Sequence, residues 1–398
     1  MRRTPGERKR PARRLGVAAC VALAGLAAVS AGGGGSGGRF RAPAADQEPS
    51  FPRDHGSHDD ARVEWWYVTG HLDSASGRRR GFQLTFFRTG LLDEAKGARA
   101  SRFAARDVFL AHFARTDAAS GTFRYAERIH RTGPGAAFAR EDRLHVANED
   151  WTLEEVGGRL VLRARDETPE KGDELSLVLT PEKPHVLHGA NGISRKGPEP
   201  EAVSRYVSFT RLAAAGWWTS NGTSEAVTGT AWMDHEWGPG SIGSEAAGWD
   251  WFAVQILDGR DLMLYRLRAR DGKASRFSSG TLVERDGRAR TLSPEDFAIE
   301  ELATWKSPRS GATYPARWRL RVPAAALLLD VVPVLADQEL VTEKSTRVTY
   351  WEGACDVFDA RGTADEGRGG PPKKARGIGR AYVELTGYAG AGALGAFR

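Results

Sequence analysis

Apolar and polar positions alternate along most of this chain with the two-residue period of a β-strand, and no long stretch shows helical periodicity. From about residue 62 one short strand pattern follows another. "VEWWYVTGHL" (63–72), "GFQLTFFRTG" (81–90) and "DVFLAHFAR" (107–115) are rich in aromatic and β-branched residues. Turn chemistry such as "DSASGRR" and "TDAASG" separates them. The style continues in "RLVLRAR" (159–165), "ELSLVLT" (174–180), "WFAVQILDGRDLMLYRLRARDG" (251–272), "ARWRLRV" (316–322) and "AYVELTGY" (381–388). Asp258-Gly259 predicts a tight hairpin turn. The best helix candidate is "SPEDFAIEEL" (293–302), with Ser293 as N-cap and Pro294 in the first turn. "PAAALLLDVVPVL" (323–335) is bracketed by prolines and reads as a buried extended segment, and "DEGRGGPPKKARG" (365–377) as an exposed loop. The pattern predicts an all-β fold of barrels or sandwiches. At 398 residues two domains are expected, 55–225 and 226–398, divided near 222–229.

The N-terminus departs from that pattern. A basic start precedes "LGVAACVALAGLAAVSA" (15–31), which is apolar, built of small residues and closed by Ala-Val-Ser-Ala. This predicts a signal peptide over 1–31 and a periplasmic or secreted protein. The run of 17 residues is short beside the ~20 a spanning helix needs. An uncleaved anchor, a lipid on Cys20 in "VAAC" and a twin-arginine signal at Arg13-Arg14 stay open, and membrane association would run through this end. The glycine-rich run at 31–38 predicts a flexible linker over 32–54. With Cys20 removed, Cys355 is the one cysteine left, and it reads as a small buried hydrophobe.

Charge removes a function class. The chain has 57 basic and 51 acidic residues, but residues 1–31 hold seven of the former and one of the latter. The remainder balances at 50 each, which argues against a nucleic-acid partner. Nothing in the sequence fixes an oligomeric state.

The chemistry concentrates in "GTAWMDHEWG" (229–238), where Trp232 and Trp237 bracket Asp234, His235 and Glu236. In an extended strand Trp232, Asp234 and Glu236 share one face, and Met233, His235 and Trp237 the other. In "EWWY", Trp65 and Tyr67 face one way, Glu64 and Trp66 the other. Carboxyls among rings are either a pairing network or a site, since buried acids are rarely left unpaired. An acid in an apolar pocket keeps its proton to higher pH and can donate it, with His235 as a natural relay. The expected site therefore joins Asp234, His235 and Glu236 to Trp65, Trp66, Tyr67, Trp232, Trp237 and Trp251 around an apolar small ligand at the domain junction. His185 and His188 have the spacing of two metal ligands, but no third is evident and no metal is expected. The absence of a glycine-rich phosphate loop and of a G-x-S-x-G elbow argues against nucleotide cofactors and serine hydrolysis.

"PRDHGSHDDARVEWWYVTGHL", "GFQLTFFR", "GTAWMDHEWG", "WDWFAVQILDGRDLMLYRLR", "VTYWEGACDV" and "GRAYVELTGY" together resemble the AttH-like proteins related to carotenoid hydratase, in family order from about 52 to 388. The resemblance implies two lipocalin-like antiparallel β-barrel domains side by side, with a cavity near their junction. It implies cofactor-free acid catalysis, since the hydratases add water to an isolated double bond of a polyene. Related fungal enzymes of this fold are pericyclic cyclases. The hydratases' His-x-Trp pair falls on His235 and Trp237, and a tyrosine on the following hairpin falls on Tyr265. Their key aspartate, two residues beyond that tyrosine, falls here on Leu267, leaving Asp234, Glu236 or Glu64 as acids. Three readings stay open: a hydratase- or isomerase-like enzyme acting on an apolar polyene, isoprenoid or lipid-like substrate, a non-catalytic envelope binder of such a molecule, and a carbohydrate-active β protein.

Overall fold

The computed structural model describes residues 39–91, 105–166, 172–361 and 376–390. The expected leader, with Cys20, and nearly all of the 365–377 loop lie outside them. Two antiparallel sheets account for the chain. The first contains β1 (Val63–Ser74), β2 (Arg79–Gly90), β3 (Asp107–Asp117), β4 (Thr122–Arg131), β5 (Ala137–Ala139), β6 (His145–Asn148) and β7 (Trp151–Val156). It continues with β8 (Arg159–Arg165), β9 (Glu174–Pro181), β10 (Val186–Leu187), β11 (Ile193–Arg195), β12 (Val203–Ser220) and β13 (Thr223–Gly238). The second contains β14 (Ala246–Ile256), β15 (Asp261–Ala269), β16 (Ser279–Val283), β17 (Ala289–Leu292) and β18 (Ala298–Lys306). It ends with β19 (Thr313–Val322), β20 (Leu327–Pro333), β21 (Glu339–Val341), β22 (Thr349–Asp359) and β23 (Gly377–Leu385).

The first sheet runs β4-β3-β2-β1-β13-β12-β9-β8-β7-β6-β5 and curls into a nearly closed barrel. The second runs β17-β16-β15-β14-β23-β22-β20-β19-β18 and forms a half-barrel. The expected all-β class of two antiparallel barrel domains is what the chain adopts. The division differs in place. β13 pairs with β1 and β12, so it stays in the first sheet, and the chain crosses over 239–245 rather than at 225/226. No local signal marks this, because β13 and β14 carry the same kind of apolar pattern.

Alternation distributes the side chains. Trp66, Val68 and Leu72 of β1 fill the first barrel with Phe82, Leu84, Phe86 and Phe113. Phe252, Val254 and Ile256 of β14 fill the second with Trp318, Leu329 and Trp351. The intervening positions, Tyr67, Trp251 and Ala253, meet Tyr206, Trp232, Tyr265 and Tyr382 in a third cluster between the sheets. The central strands are thus buried on both faces.

Two local expectations change. In 293–302 the Ser293–Asp296 capping box forms, but the helix is a single 3-10 turn, Pro294–Asp296. β18 follows at once, because pairing with β19 and the contacts of Phe297 and Ile299 with the second core outweigh helical propensity. Residues 39–54 of the expected linker are held against the barrel. Arg205 Nη2 donates to the carbonyls of Ala44 (2.8 Å) and Gln47 (2.6 Å), and Arg39 Nη2 contacts Asp107 at 3.0 Å.

Candidate functional site

Cross-strand register assembles a cavity between the sheets. In the first sheet Thr85, Tyr67, Asp234 and Ser208 stand in one row across β2, β1, β13 and β12. Phe87, Trp65, Glu236 and Tyr206 form the neighbouring row. In the second, Tyr265, Trp251, Glu384 and Glu352 form a row across β15, β14, β23 and β22. Except for Ser208 these side chains line one cavity, joined by Lys196, Trp249, Leu267 and Tyr350. Its volume, counted as the space open to the centres of water-sized spheres, is about 100 Å³, and it opens to solvent.

Asp234 sits at the first wall, 4% exposed. Its Oδ1 accepts hydrogen bonds from Ser208 Oγ and Trp232 Nε1 (2.6 Å), and its Oδ2 from Tyr206 Oη (2.8 Å), which in turn accepts from Trp251 Nε1 (2.9 Å). Burial raises the carboxyl to about 7; the three donors oppose the rise and Glu236 adds to it. Ser208 Oγ also meets His188 Nε2 at 2.7 Å, and His188 Nδ1 meets Thr281 at 2.8 Å. Burial, with Lys196 nearby, lowers His188 to about 3, so this imidazole is neutral. Lys196 Nζ pairs with Glu236 Oε1 at 3.0 Å and lies 4.5 Å from the Tyr265 ring centre.

The opposite wall carries two more acids. Glu352 and Glu384 are direct cross-strand partners, where two like charges destabilise each other. Burial, then the neighbouring Asp234 and Glu236, raises Glu384 to about 7, against a 3.0 Å hydrogen bond from Trp249 Nε1. Burial, then Glu384, holds Glu352 well above the usual carboxyl range. The cavity is therefore lined by rings, by the Lys196–Glu236 pair and by three acids, Asp234, Glu352 and Glu384, whose protons are held to higher pH than usual.

Part of the sequence-predicted site lies elsewhere. Trp65, Tyr67, Asp234, Glu236, Trp251 and Tyr265 line the cavity, with Trp232 behind Asp234. His235, Trp237 and Trp66 point through the opposite face, because neighbours on a strand alternate. His235 is thus not the partner of Asp234. Its Nε2 meets Glu64 Oε1 at 3.0 Å, and its ring stacks on Trp66 with centroids 4.9 Å apart. Glu64 Oε1 also meets His58 Nδ1 at 2.8 Å, and Glu64 Oε2 accepts from Arg88 Nε at 3.0 Å. Burial would raise Glu64, but these histidines and the Arg88 charge outweigh it and hold the carboxyl well below its usual range.

His58, Glu64 and His235 are close enough to be tested as metal ligands. Their spacings are those of hydrogen bonds through one shared oxygen, and Arg88 already supplies a cation to Glu64. A structural network accounts for the trio. His185 and His188 do not converge: His185 packs on Phe51, 4.0 Å between centroids, while His188 serves Ser208.

Tyr206, Ser208, His188, Lys196, Glu352 and Glu384 were not foreseen in these positions. Glu352 and Glu384 had a readable signal, an acid two residues after a tyrosine and beside apolar neighbours: "YWEG" and "YVEL". The others depend on register between strands far apart in sequence.

A model of the AttH-like family matches residues 42–388. An AttH protein of Nitrosomonas europaea of known structure is 33% identical, with a TM-score of 0.75 over 88% of this chain and 99% of that one. Kievitone hydratase of Nectria haematococca shares the fold at 14% identity and a TM-score of 0.61, over 87% of this chain and 95% of its own. No curated protein matches the chain. Matched by the family model over most of its length, the chain belongs to the AttH-like family.

Proposed function

We propose that the cavity binds an apolar, unsaturated small molecule and that Asp234 protonates it, in a cofactor-free reaction of hydratase or isomerase type. The observation that carries this is the environment of Asp234. Burial raises it to about 7, so it still carries a proton in a large share of the molecules near neutral pH, while Ser208, Trp232 and Tyr206 already aim donors at its oxygens. Those donors favour the carboxylate left after the proton has gone, without reorganisation at that moment. In the hydration form, Asp234 gives its proton to one carbon of a double bond. Water adds to the adjacent cationic carbon, and the proton that water loses returns to the carboxylate. The rings of Trp65, Trp249 and Trp251 in the cavity wall suit a transient carbocation. Rings enclosing an interior space, rather than an outer groove, favour such a ligand over a carbohydrate. Export through residues 1–31 is part of the proposal, and N-terminal sequencing of protein from its native cell checks it.

One observation favours a second reading, a non-catalytic binder: both Asp234 oxygens are already hydrogen-bonded, as in a structural acid. The two separate on one experiment. The molecule that co-purifies with the native protein is identified by mass spectrometry. It is then incubated in oxygen-18 water with wild type and Asp234→Asn. Product formed by wild type alone, with binding retained in the variant, supports the acid role. Binding without turnover in either protein leaves the binder.

A further inference from the structure

Two polar atoms in the cavity wall have no hydrogen-bond partner: Tyr67 Oη and Glu352 Oε1. Both residues line the cavity, from opposite sheets, and both are more than nine-tenths buried, at 6% and 1% exposure. They are near enough for a mutual hydrogen-bonding contact that raises Tyr67 and opposes the rise of Glu352, but its geometry is poor and leaves both atoms with unmet capacity. Buried polar atoms are almost always satisfied, so two orphans facing one cavity call for an explanation. The other polar groups there are engaged: Asp234 with Ser208, Trp232 and Tyr206, Glu236 with Lys196, and Glu384 with Trp249.

We infer that Tyr67 and Glu352 clamp a neutral oxygen, a hydroxyl or carbonyl, on an otherwise apolar ligand. This rests on the proposed reading of the cavity as a ligand site and narrows its ligand class. A phenol and a carboxylic acid can each donate or accept, so together they satisfy either kind of oxygen. Burial and the facing Glu384 keep Glu352 protonated, and burial keeps the Tyr67 phenol protonated, so the clamp is uncharged. A carboxylate ligand would meet no free cation, since Lys196 is held by Glu236. A pure hydrocarbon would leave both orphans unmet.

The probes are geraniol, the hydrocarbon lacking only its hydroxyl, and geranate. Binding is read from quenching of tryptophan fluorescence, since Trp65, Trp249 and Trp251 line the same cavity. Wild type should bind geraniol about tenfold more tightly than the hydrocarbon, the size of one to two well-made hydrogen bonds. Tyr67→Phe and Glu352→Leu should each reduce that preference to about threefold or less and keep the melting temperature at or above that of wild type. Equal affinity of wild type for geraniol and hydrocarbon, a preference unchanged in both variants, or tightest binding by geranate would overturn the clamp. Failure of all three probes to bind would overturn the cavity reading itself, and the clamp with it. Loss of turnover in Asp234→Asn bears on neither outcome.

Discussion

Replacing Asp234 by Asn keeps the side chain's shape and removes its titration. Burial raises this carboxyl from 3.8 to about 7 in the folded protein. Between those values the folded state binds more protons than the unfolded chain, so stability falls as pH rises. The loss begins near pH 3.8 and is complete a little above 7. A rise of this size corresponds to about 4 kcal/mol at the alkaline end, of which about 2–3 kcal/mol accrues between pH 5 and pH 8. Asparagine carries none of it. Whatever offset the variant has at pH 5, it should gain about 2–3 kcal/mol on wild type by pH 8. Glu384, also raised to about 7, is present in both proteins and largely cancels. For a chain of this length the change corresponds to about 3–4 °C in the difference of melting temperatures. Scanning calorimetry of both proteins at the two pH values measures it. A constant difference would show that the carboxyl does not titrate in this window. That is the result expected if the donors from Ser208, Trp232 and Tyr206 outweigh burial and keep the carboxyl ionised throughout.

Other substitutions separate the two faces of β1 and β13. Glu64→Gln should cost about 2 kcal/mol or more in chemical denaturation, because it leaves buried Arg88 with Asp107 as its one close charge partner and removes the charge that His58 and His235 share; a loss below 1 kcal/mol would refute the network's structural role. Lys196→Met should destabilise by a similar amount in chemical denaturation, by stranding buried Glu236; a loss below 1 kcal/mol would contradict the pairing. Trp217→Ala should change stability by less than about 0.5 kcal/mol, since the ring is 56% exposed on the β12–β13 hairpin.

The fold was legible in the sequence to the extent that it depends on local alternation. "VEWWYVTGHL" and "WFAVQI" read as strands because their two-residue period survives burial on both faces. The helix candidate at 293–302 misled because its cap is genuine, while the sheet pairing that ends the helix comes from β19, downstream. The site was half legible. Acids among tryptophans in "WMDHEW" pointed to β13, one of the strands that line the cavity. Adjacency made His235 look like the partner of Asp234, although neighbours on a strand face apart. The histidine that reaches Asp234, through Ser208, is His188, 46 positions earlier. Only the pairing of β13 with β12, which sets Ser208 opposite Asp234, brings that chain together.

Buried acids in this protein fall into two kinds, and the contrast separates support from function. Asp250 is held by Arg266 and Arg268, Asp261 by Lys183 and Arg211, and Asp330 by Arg317 and Arg319. Glu64 and Asp107 share Arg88, and Glu236 has Lys196. Among the described residues, Asp234 and Glu352 are the buried acids with no ion pair. Both line the same cavity, with Glu384 beside them in the same position of having no cation. An unpaired buried carboxyl costs several kcal/mol when ionised, so it stays neutral or is replaced by an apolar residue where packing alone is at stake. The chain meets that cost with arginine or lysine at its other buried acids. At this cavity, Glu236 apart, it leaves the carboxyls without a cation and raised, so that they keep a proton to higher pH, which a proton donor needs and a structural ion pair does not.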